Sequence, residues 1–284
     1  MITFRCLSSA DLEQLYYCFQ AAFSDYVVSM ALSREQFRQR LVRDGVDLEM
    51  SVAAFDNDKM IAFSLNARGD WQGLITAYDS GTGVVPAHRG AGVGKKLFGY
   101  MFEVLRRYDI SQCLLEVIST NAPAVGMYKK LGFEQTRRLV VLISDNRPTI
   151  DQHLEFELRS LQTFDWTMFS SFWDGYPSWQ NSIAAVTRGE KYCRALGAYE
   201  GDNCIGYGIV FEPAGNLMHL AVDRNHRRQG VGSAIVRALQ GELSGPLKAI
   251  NIDERLDGTL RFYEQQGFKM VLDQFEMIKD LKGQ

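Results

Sequence analysis

The sequence predicts an α/β protein with two tandem copies of one domain. Three observations lead to this prediction: the length, the composition and a segment that occurs twice. The chain has 284 residues, and at about 150 residues per domain that length predicts two domains, each able to build a core. Hydrophobic residues make up 46% and charged residues 23% of the chain. These are values of ordinary globular proteins, so disordered, collagenous and coiled-coil classes are excluded.

The duplicated segment is rich in glycine. Residues 84–94 (VVPAHRGAGVG) return as residues 222–232 (VDRNHRRQGVG), 138 positions later. Two further pairs keep the same order, at offsets of 144 and 135 positions: 53–56 with 197–200, and 128–133 with 263–268. Slowly drifting offsets are typical of a duplicated domain that has acquired small insertions.

The predicted domains span residues 1–145 and 149–284. The seam between them lies in the polar stretch Ser144-Asp145-Asn146-Arg147-Pro148. A proline that follows polar residues is typical of a linker, because proline cannot continue a helix or a strand ladder.

Charge and cysteine usage limit the classes of partner. Lys and Arg total 31 against 34 Asp and Glu, for a net charge of −3, so neither nucleic acid nor an anionic membrane is an expected partner. The start MITFRCLSS lacks the apolar block of a signal peptide. Five cysteines without a C-x-x-C pair and four histidines without ligand spacing predict a cytoplasmic protein without a metal site.

The first half contains the following elements before its glycine turn. Residues 2–7 predict a strand, and Ser8 with Asp11 three positions later predicts the start of a helix that runs to about Phe23. Alternating segments on both sides of the polar turn 56–59 predict a hairpin. A further strand over 74–85 ends at Pro86, which has no N–H to donate.

The elements after the turn follow the same reasoning. Apolar residues at helical spacing predict a helix over 95–107, then a short apolar strand over 112–118. The next helix, over 123–131, ends at Gly132. The second half repeats this order, with residues 201–203 as its hairpin turn.

A strand, a glycine-rich turn and a helix together form an anion site, because glycines open the backbone and the first helical N–H groups lack partners. Two phosphate motifs fit poorly: a dinucleotide fingerprint needs glycine where Lys95 stands, and a P-loop needs glycine at Arg89 and Ser or Thr at Lys96. The second copy has Ser233 in place of the lysine. A turn that binds no ligand remains the alternative.

Over nearly the whole chain the pattern resembles the GCN5-related N-acetyltransferase (GNAT) superfamily in its tandem form, that is, two acyl-CoA N-acyltransferase domains. The signature R/Q-x-x-G-x-G/A is met at 89–94 and at 227–232, while the preceding V-x-P is present at 84–86 and absent at 222–224. The resemblance implies that each domain is a mixed, mainly antiparallel sheet flanked by helices. It also implies that the first turn binds the pyrophosphate of acetyl-CoA and that pantetheine lies beside the preceding strand. The implied cofactor-binding residues are Val84, Val85, Arg89, Gly90, Ala91, Gly92, Val93, Gly94, Lys95 and Asn121.

The segment Leu115-Glu116-Val117 with Asn121 resembles the L-E-V-x-x-x-N segment of ribosomal-protein N-terminal acetyltransferases. The resemblance implies that Glu116 is the general base and that Tyr128, twelve positions later, protonates the departing thiolate. We expect a backbone N–H near Val85 to stabilise the oxyanion. A solvated Glu116 and a Tyr128 that only packs are the structural alternatives.

In the second half Asn251 and Leu256 occupy the positions of Glu116 and Asn121. An amide is a poor proton acceptor, so we expect a catalytic first domain and a second one that is degenerate or differently used. Whether Arg227, Gly230, Gly232 and Tyr263 form another CoA site stays open.

The predicted function is acetyl-CoA-dependent N-acetylation, by direct transfer to a primary amine of a small molecule or peptide. A longer acyl donor, a hydroxyl or hydrazine acceptor, a non-catalytic acyl-CoA sensor and, more distantly, a nucleotide hydrolase remain alternatives. Asp25 and Asp79 could attract a cationic amine. Aromatic runs on the early helices of each half are more typical of core than of a substrate wall: Tyr16, Tyr17, Phe23 and Tyr26, then Phe169, Phe172, Trp173, Tyr176 and Trp179. The sequence leaves the acceptor and the oligomeric state open.

Overall fold

A computed structural model describes residues 1–28, 30–145 and 154–282. The chain forms two compact units, one from Met1–Arg137 with Phe275–Gln284 and the other from Arg138–Gln274. Each unit is a mixed sheet flanked by helices, as the sequence predicts. The predicted seam residues Asn146, Arg147 and Pro148 lie outside the described residues.

In its described residues, unit 1 contains four α-helices and the strands that carry the candidate site. Its strands are β1 (Ile2–Cys6), β2 (Val46–Asp56), β3 (Lys59–Trp71), β4 (Leu74–Val84) and β5 (Gln112–Ile118). Its helices are α1 (Leu12–Ala22), α2 (Arg34–Asp44), α3 (Val93–Arg107) and α4 (Ala122–Lys130).

Unit 2 repeats this order of elements. It begins within β6 (Glu134–Ser144) and continues with β7 (Glu157–Ser160), β8 (Cys193–Glu200), β9 (Asn203–Phe211), β10 (Asn216–Val222), β11 (Leu247–Asp253) and part of β12 (Lys269–Asp280). Its helices are α5 (Trp166–Ser171), α6 (Ile183–Gly189), α7 (Val231–Gly241) and α8 (Asp257–Gln265).

The sheets of the two units have matching topology. In unit 1 the strands follow the order β1-β2-β3-β4-β5-β12, with β4 and β5 parallel and β1 to β4 antiparallel. In unit 2 the order is β7-β8-β9-β10-β11-β6, with β10 and β11 parallel. The parallel pair β4–β5 of unit 1 thus corresponds to the parallel pair β10–β11 of unit 2.

The final strand of each sequence repeat completes the other unit. Met277 and Leu281 lie in the core of unit 1 with Leu97 and Phe98, and the Leu281 N–H donates to the Ser111 carbonyl at 2.9 Å. The compact units have other bounds than the predicted ranges 1–145 and 149–284, which stay a prediction about the sequence repeats. Sequence similarity reports the repeat and leaves the pairing of its final strand open.

Helix α2 is absent from the elements predicted from the sequence. Its apolar stripe is weak, with Phe37 its one fully buried apolar residue, so periodicity gives little signal. Its ends carry the missed signals: Ser33 and Gln36 form a capping box, and Gly45 closes the helix in the left-handed conformation with φ 78°. The other predicted elements of the first half are confirmed to within a few residues, apart from the longer strands β2 and β3.

Candidate active site

Two adjacent parallel strands of unit 1 separate and open a split in the sheet. The described register pairs β4 with β5 from Thr76–Gln112 to Asp79–Leu115. The next residue of β4, Ser80, is a bulge, because Leu65 pairs with Gly81 and Asn66 with Asp79. A bulge bends its strand. Strand β4 then continues along β3 to Val84, which leaves its other edge facing the split.

The glycine turn lies at the open end of β4 and begins α3. Gly90 and Gly92 have φ of 78° and 76°, and a Cβ on either would meet nothing within 4 Å. These glycines therefore serve backbone conformation and leave room for a ligand. Gly92 is the N-cap of α3 and no side chain caps this end, so the first N–H groups of the helix are available to an anion.

Arg89 ties this turn to α1. Its guanidinium donates to both carboxylate oxygens of Asp25 at 2.7 and 2.8 Å, to the Ala22 carbonyl at 2.8 Å and to the Val84 carbonyl at 3.0 Å. The Arg89 pair holds the pKa of Asp25 below its ordinary value. In this structure Arg89 shapes the turn, and a direct contact with pyrophosphate stays a prediction. Both carboxylate oxygens of Asp25 are bonded to Arg89.

The same arrangement occurs at the second glycine turn. Arg227 donates to the Val222 carbonyl at 3.0 Å, to Asp174 at 3.0 Å and to the Phe172 carbonyl at 2.9 Å. Arg228 has φ 64° at the position of Gly90. The turn conformation is therefore kept even where it costs a non-glycine residue some strain.

The backbone at Val84 and Val85 differs in detail from the expected oxyanion site. The Val85 N–H donates to the Ile61 carbonyl at 2.9 Å, so it is not available to an oxyanion. Successive N–H groups of a strand point to opposite sides. The Val84 N–H consequently points away from β3 and towards the split.

Glu116 lies on β5 beside the split. Its Oε2 accepts a hydrogen bond from the Tyr78 hydroxyl at 2.8 Å. Its Oε1 is buried and has no hydrogen-bond partner among the described residues. Burial raises the pKa of Glu116 to about 7, with Glu276 and Asp44 adding to the rise and Tyr78 and Arg137 opposing it. This carboxyl group can therefore accept a proton near neutral pH.

Tyr128 is buried on α4, and its ring packs edge-on against Phe98 and Phe133 at centroid distances of 5.5 and 5.7 Å. Burial raises its pKa well above the ordinary value, and the charge of Asp79 adds to the rise. The phenol consequently stays protonated and can only donate a proton. Tyr128 therefore packs in the core and also keeps a donor hydroxyl. Its interpretation as a packing residue and its interpretation as an acid are compatible.

Asp79 and Asn121 are held by local hydrogen bonds. Asp79 accepts from the Thr82 hydroxyl at 2.7 Å and the Gly81 N–H at 3.0 Å, and burial raises its pKa to about 6. Asn121 is the N-cap of α4 and accepts from the Ala124 N–H at 3.3 Å. Asn121 therefore starts the helix that carries Tyr128, and its predicted contact with acetyl-CoA stays a prediction.

The other predicted cofactor residues surround the turn. Ala91 and Lys95 are exposed, whereas the Val93 side chain is in the core and only its backbone faces outward. A Cβ on Gly94 would lie 3.4 Å from Met127 Sδ and 3.7 Å from Val84. Gly94 thus allows α3 to start close to β4.

Four residues around Glu116 are not predicted from the sequence: Tyr78, Asp44, Arg137 and Glu276. They come from four separate elements, and Glu276 lies 160 positions from Glu116. No local motif connects such residues, so only the fold brings them together.

Unit 2 has a different site at the corresponding position. Asn251 accepts from Gln274 Nε2 at 2.7 Å, and its Nδ2 is buried without a partner among the described residues. Burial raises the pKa of Tyr263 above its ordinary value. Leu256 begins α8 without the side-chain cap that Asn121 provides in unit 1.

Part of the aromatic run of unit 2 packs against Tyr207 of β9. Phe169 stacks on Tyr207 at 3.9 Å, and Trp173 Nε1 donates to the Tyr207 hydroxyl at 2.6 Å. The Tyr207 hydroxyl lies 3.2 Å from His219 Nδ1, and burial lowers the pKa of His219 to about 4. Phe169, Phe172 and Trp179 are buried, which is the interpretation that the sequence favours. Trp173 is half-buried and Tyr176 is 56% exposed, so these two are not core residues. In unit 1 Tyr16 and Phe23 join the core, whereas Tyr17 is exposed.

Two features concern metals and membranes. Within the described ranges, no group of three or more His, Cys, Asp or Glu side chains is arranged to hold a metal ion. Likewise, none of the helices described has both the length and the apolar character needed to cross a bilayer.

Comparison with protein families matches both halves of the chain. The acetyltransferase (GNAT) family matches residues 12–133, and the acetyltransferase (GNAT) domain matches residues 191–270. The two matched ranges contain the two glycine turns, and the first also contains Glu116 and Tyr128.

Individual relatives cover less of the chain. Streptothricin acetyltransferase of Streptomyces lavendulae is 29% identical over 90 residues, 32% of this chain and 47% of the relative. Mycothiol acetyltransferase of Brachybacterium faecium is 31% identical over 129 residues, 44% of this chain and 38% of the relative. The matches thus span about half or less of these relatives. A solved tandem GNAT protein from the clavulanic acid biosynthesis pathway aligns over 100% of both chains, with TM-score 0.77 and 14% identity.

Proposed function

Because the chain belongs to the GNAT family of acetyltransferases, we propose that it transfers the acetyl group of acetyl-CoA directly to a primary amine of a small molecule or peptide. Unit 1 carries this activity. The observation that supports it best is the Glu116 carboxyl group beside the strand split. One of its oxygens is held by Tyr78, and the other is buried without a partner among the residues that the structure describes.

The residues of unit 1 suit the co-substrate. The open glycine turn and the first N–H groups of α3 match a pyrophosphate, and the free edge of β4 matches an extended pantetheine arm with amide groups. When bound, acetyl-CoA supplies the thioester carbonyl carbon that the amine attacks.

Three groups of the protein assist this attack. An alkylammonium has a pKa of about 10.4 and must lose a proton before it reacts, and Glu116 Oε1 receives this proton directly or through water. The Val84 N–H donates to the carbonyl oxygen as it becomes an oxyanion. The Tyr128 hydroxyl, which burial keeps protonated, donates a hydrogen bond to the departing thiolate sulfur.

Unit 2 has a different role in this proposal, because Asn251 replaces the carboxylate of Glu116. The relatives named for streptothricin and mycothiol support an amine on a small molecule as acceptor. We also propose a cytoplasmic location, which an odd number of cysteines without a C-x-x-C pair favours.

The test combines calorimetric titration with a turnover assay. Titration of acetyl-CoA into the protein should show one site per chain, whereas two would mean that the turn at Arg227–Gly232 is also loaded. Release of free thiol from acetyl-CoA is then followed across a panel of primary amines. Glu116→Gln should lower kcat by about 10²–10⁴-fold with unchanged acetyl-CoA affinity. If acetyl-CoA does not bind, or if no amine leads to thiol release, the proposal is refuted.

A further inference from the structure

Two buried features outside the sequence motifs surround the Glu116 carboxyl group. The first is the Tyr78 hydroxyl, which donates to Glu116 Oε2 at 2.8 Å. The second is the ion pair between Arg137 and Glu276, whose Nε–Oε1 and Nη2–Oε2 distances are 2.9 and 2.5 Å. We propose that Tyr78 and Glu276 are positioning residues that set the basicity of Glu116 in opposite directions. This proposal rests on the proposed role of Glu116 as the base.

Tyr78 fixes the orientation of the carboxyl group. Its side chain is 1% exposed, and burial together with the charge of Glu116 raises its pKa well above the ordinary value. The hydroxyl therefore remains a donor throughout the working pH range. Because this bond holds Oε2, the carboxyl group cannot rotate freely, and Oε1 is kept as the oxygen that receives a proton. A hydrogen bond to a carboxylate also favours its charged form.

Glu276 acts through Arg137. Both side chains are buried, at 1% and 8% exposure, and Thr136 also donates to Glu276 Oε1 at 2.7 Å. A lone guanidinium near Glu116 would stabilise the carboxylate and weaken it as a base. With Glu276 bonded to Arg137 the two charges largely cancel at Glu116, so its basicity is retained.

The charged and titratable groups that act on Glu116 come from four elements. They are Tyr78 of β4, Asp44 of α2, Arg137 of β6 and Glu276 of β12. Among these four groups, Arg137 supplies the one positive charge. Glu276 is the acid that pairs with it, whereas Asp44 pairs with other arginines, one of them Arg43.

The test measures the acid limb of the pH profile of kcat/KM for three variants. In Tyr78→Phe the Glu116 carboxylate loses a hydrogen bond, so the acid limb should move to higher pH by about one unit. In Glu276→Gln the charge of Arg137 is no longer balanced, so the limb should move down by about one pH unit. Arg137→Gln should move it up. A loss of packing alone would lower the rate without such opposite shifts.

Matched controls use the same chemistry elsewhere in the chain. Tyr108→Phe removes a tyrosine hydroxyl that lies 3.3 Å from Glu49, and Asp273→Asn removes a carboxylate of β12 that lies 2.7 Å from Arg138 Nε. Neither residue is among the groups that face Glu116, so both variants should keep the wild-type limb. Thermal unfolding of each variant establishes that it is folded.

The outcomes separate this proposal from the one it rests on. If Glu116→Gln abolishes the limb but the Tyr78 and Glu276 variants leave it in place or move it in the same direction, the positioning roles are wrong and the base stands. If Glu116→Gln keeps the limb, both proposals are overturned. Should Glu276→Gln fail to fold, the upward shift of Arg137→Gln decides the role of the ion pair, and an unmoved limb there refutes it.

Discussion

Replacement of Glu116 by glutamine should stabilise the protein above neutral pH while it removes activity. The pKa of this carboxyl group rises from 4.5 to about 7 on folding, mainly because burial disfavours the charged form. A group with a raised acid pKa binds more protons when folded than when unfolded between these two values, so stability falls as pH rises from 4.5 to 7. The neutral glutamine does not titrate and avoids this loss.

The magnitude follows from the size of that rise. A difference of about 2.5 pKa units corresponds to about 3 kcal/mol as an upper bound. For a unit of this size that is an increase in Tm of roughly 5–10 °C. The introduced glutamine should also keep the Tyr78 hydrogen bond, because its amide oxygen can replace Oε2. The gain should be complete at pH 8 and absent at pH 4.5, where both proteins carry a neutral side chain.

Differential scanning calorimetry of both proteins at pH 4.5 and pH 8 measures this difference. Glu49→Gln is the matched control, since Glu49 is exposed and also accepts from a tyrosine hydroxyl, that of Tyr108 at 3.3 Å. It should show no gain that depends on pH. An equal or lower Tm for Glu116→Gln at pH 8 would refute the assignment of Glu116 as a carboxylate held in an unfavourable environment.

Three further predictions use other parts of the structure. Tyr128→Phe should lower kcat by about 10²-fold or more with little change in acetyl-CoA affinity; an unchanged kcat would contradict its role as the acid. Arg89→Ala should loosen the turn and raise KM for acetyl-CoA, whereas Arg227→Ala should leave that KM unchanged. Gly83→Ala should cost about 1–3 kcal/mol in urea unfolding, because its Cβ would lie 2.8 Å from Ala22 Cβ. Gly81→Ala, whose nearest neighbour is the flexible Arg40 at 3.6 Å, should be tolerated better.

The sequence predicts those parts of the site that lie within one local segment. Glu116 and Tyr128 stand at a fixed spacing on consecutive elements, and the glycine turn has a characteristic pattern. The duplication is also visible, because it repeats residue types in the same order. These features depend on short stretches of chain, where residue type limits the conformation.

The remaining parts depend on contacts between distant segments. Tyr78 bonds to a residue 38 positions away, and the Arg137–Glu276 pair spans 139 positions. Nothing in the residues around Tyr78 distinguishes it from an ordinary strand tyrosine. The exchange of final strands escapes prediction for the same reason, since the alternation of a strand specifies its faces and leaves its partner open.

The exchanged strand has a consequence for the order of events during synthesis. Residues 1–137 leave the ribosome long before Met277 and Leu281, which complete the core of unit 1. Until then the edge of β5 is unpaired and able to join another chain. Nascent chains interrupted after the first repeat should therefore aggregate or recruit chaperones. The proposed catalytic unit can reach its final form only after residues 275–284 have been translated, so chains interrupted before them should have no acetyltransferase activity.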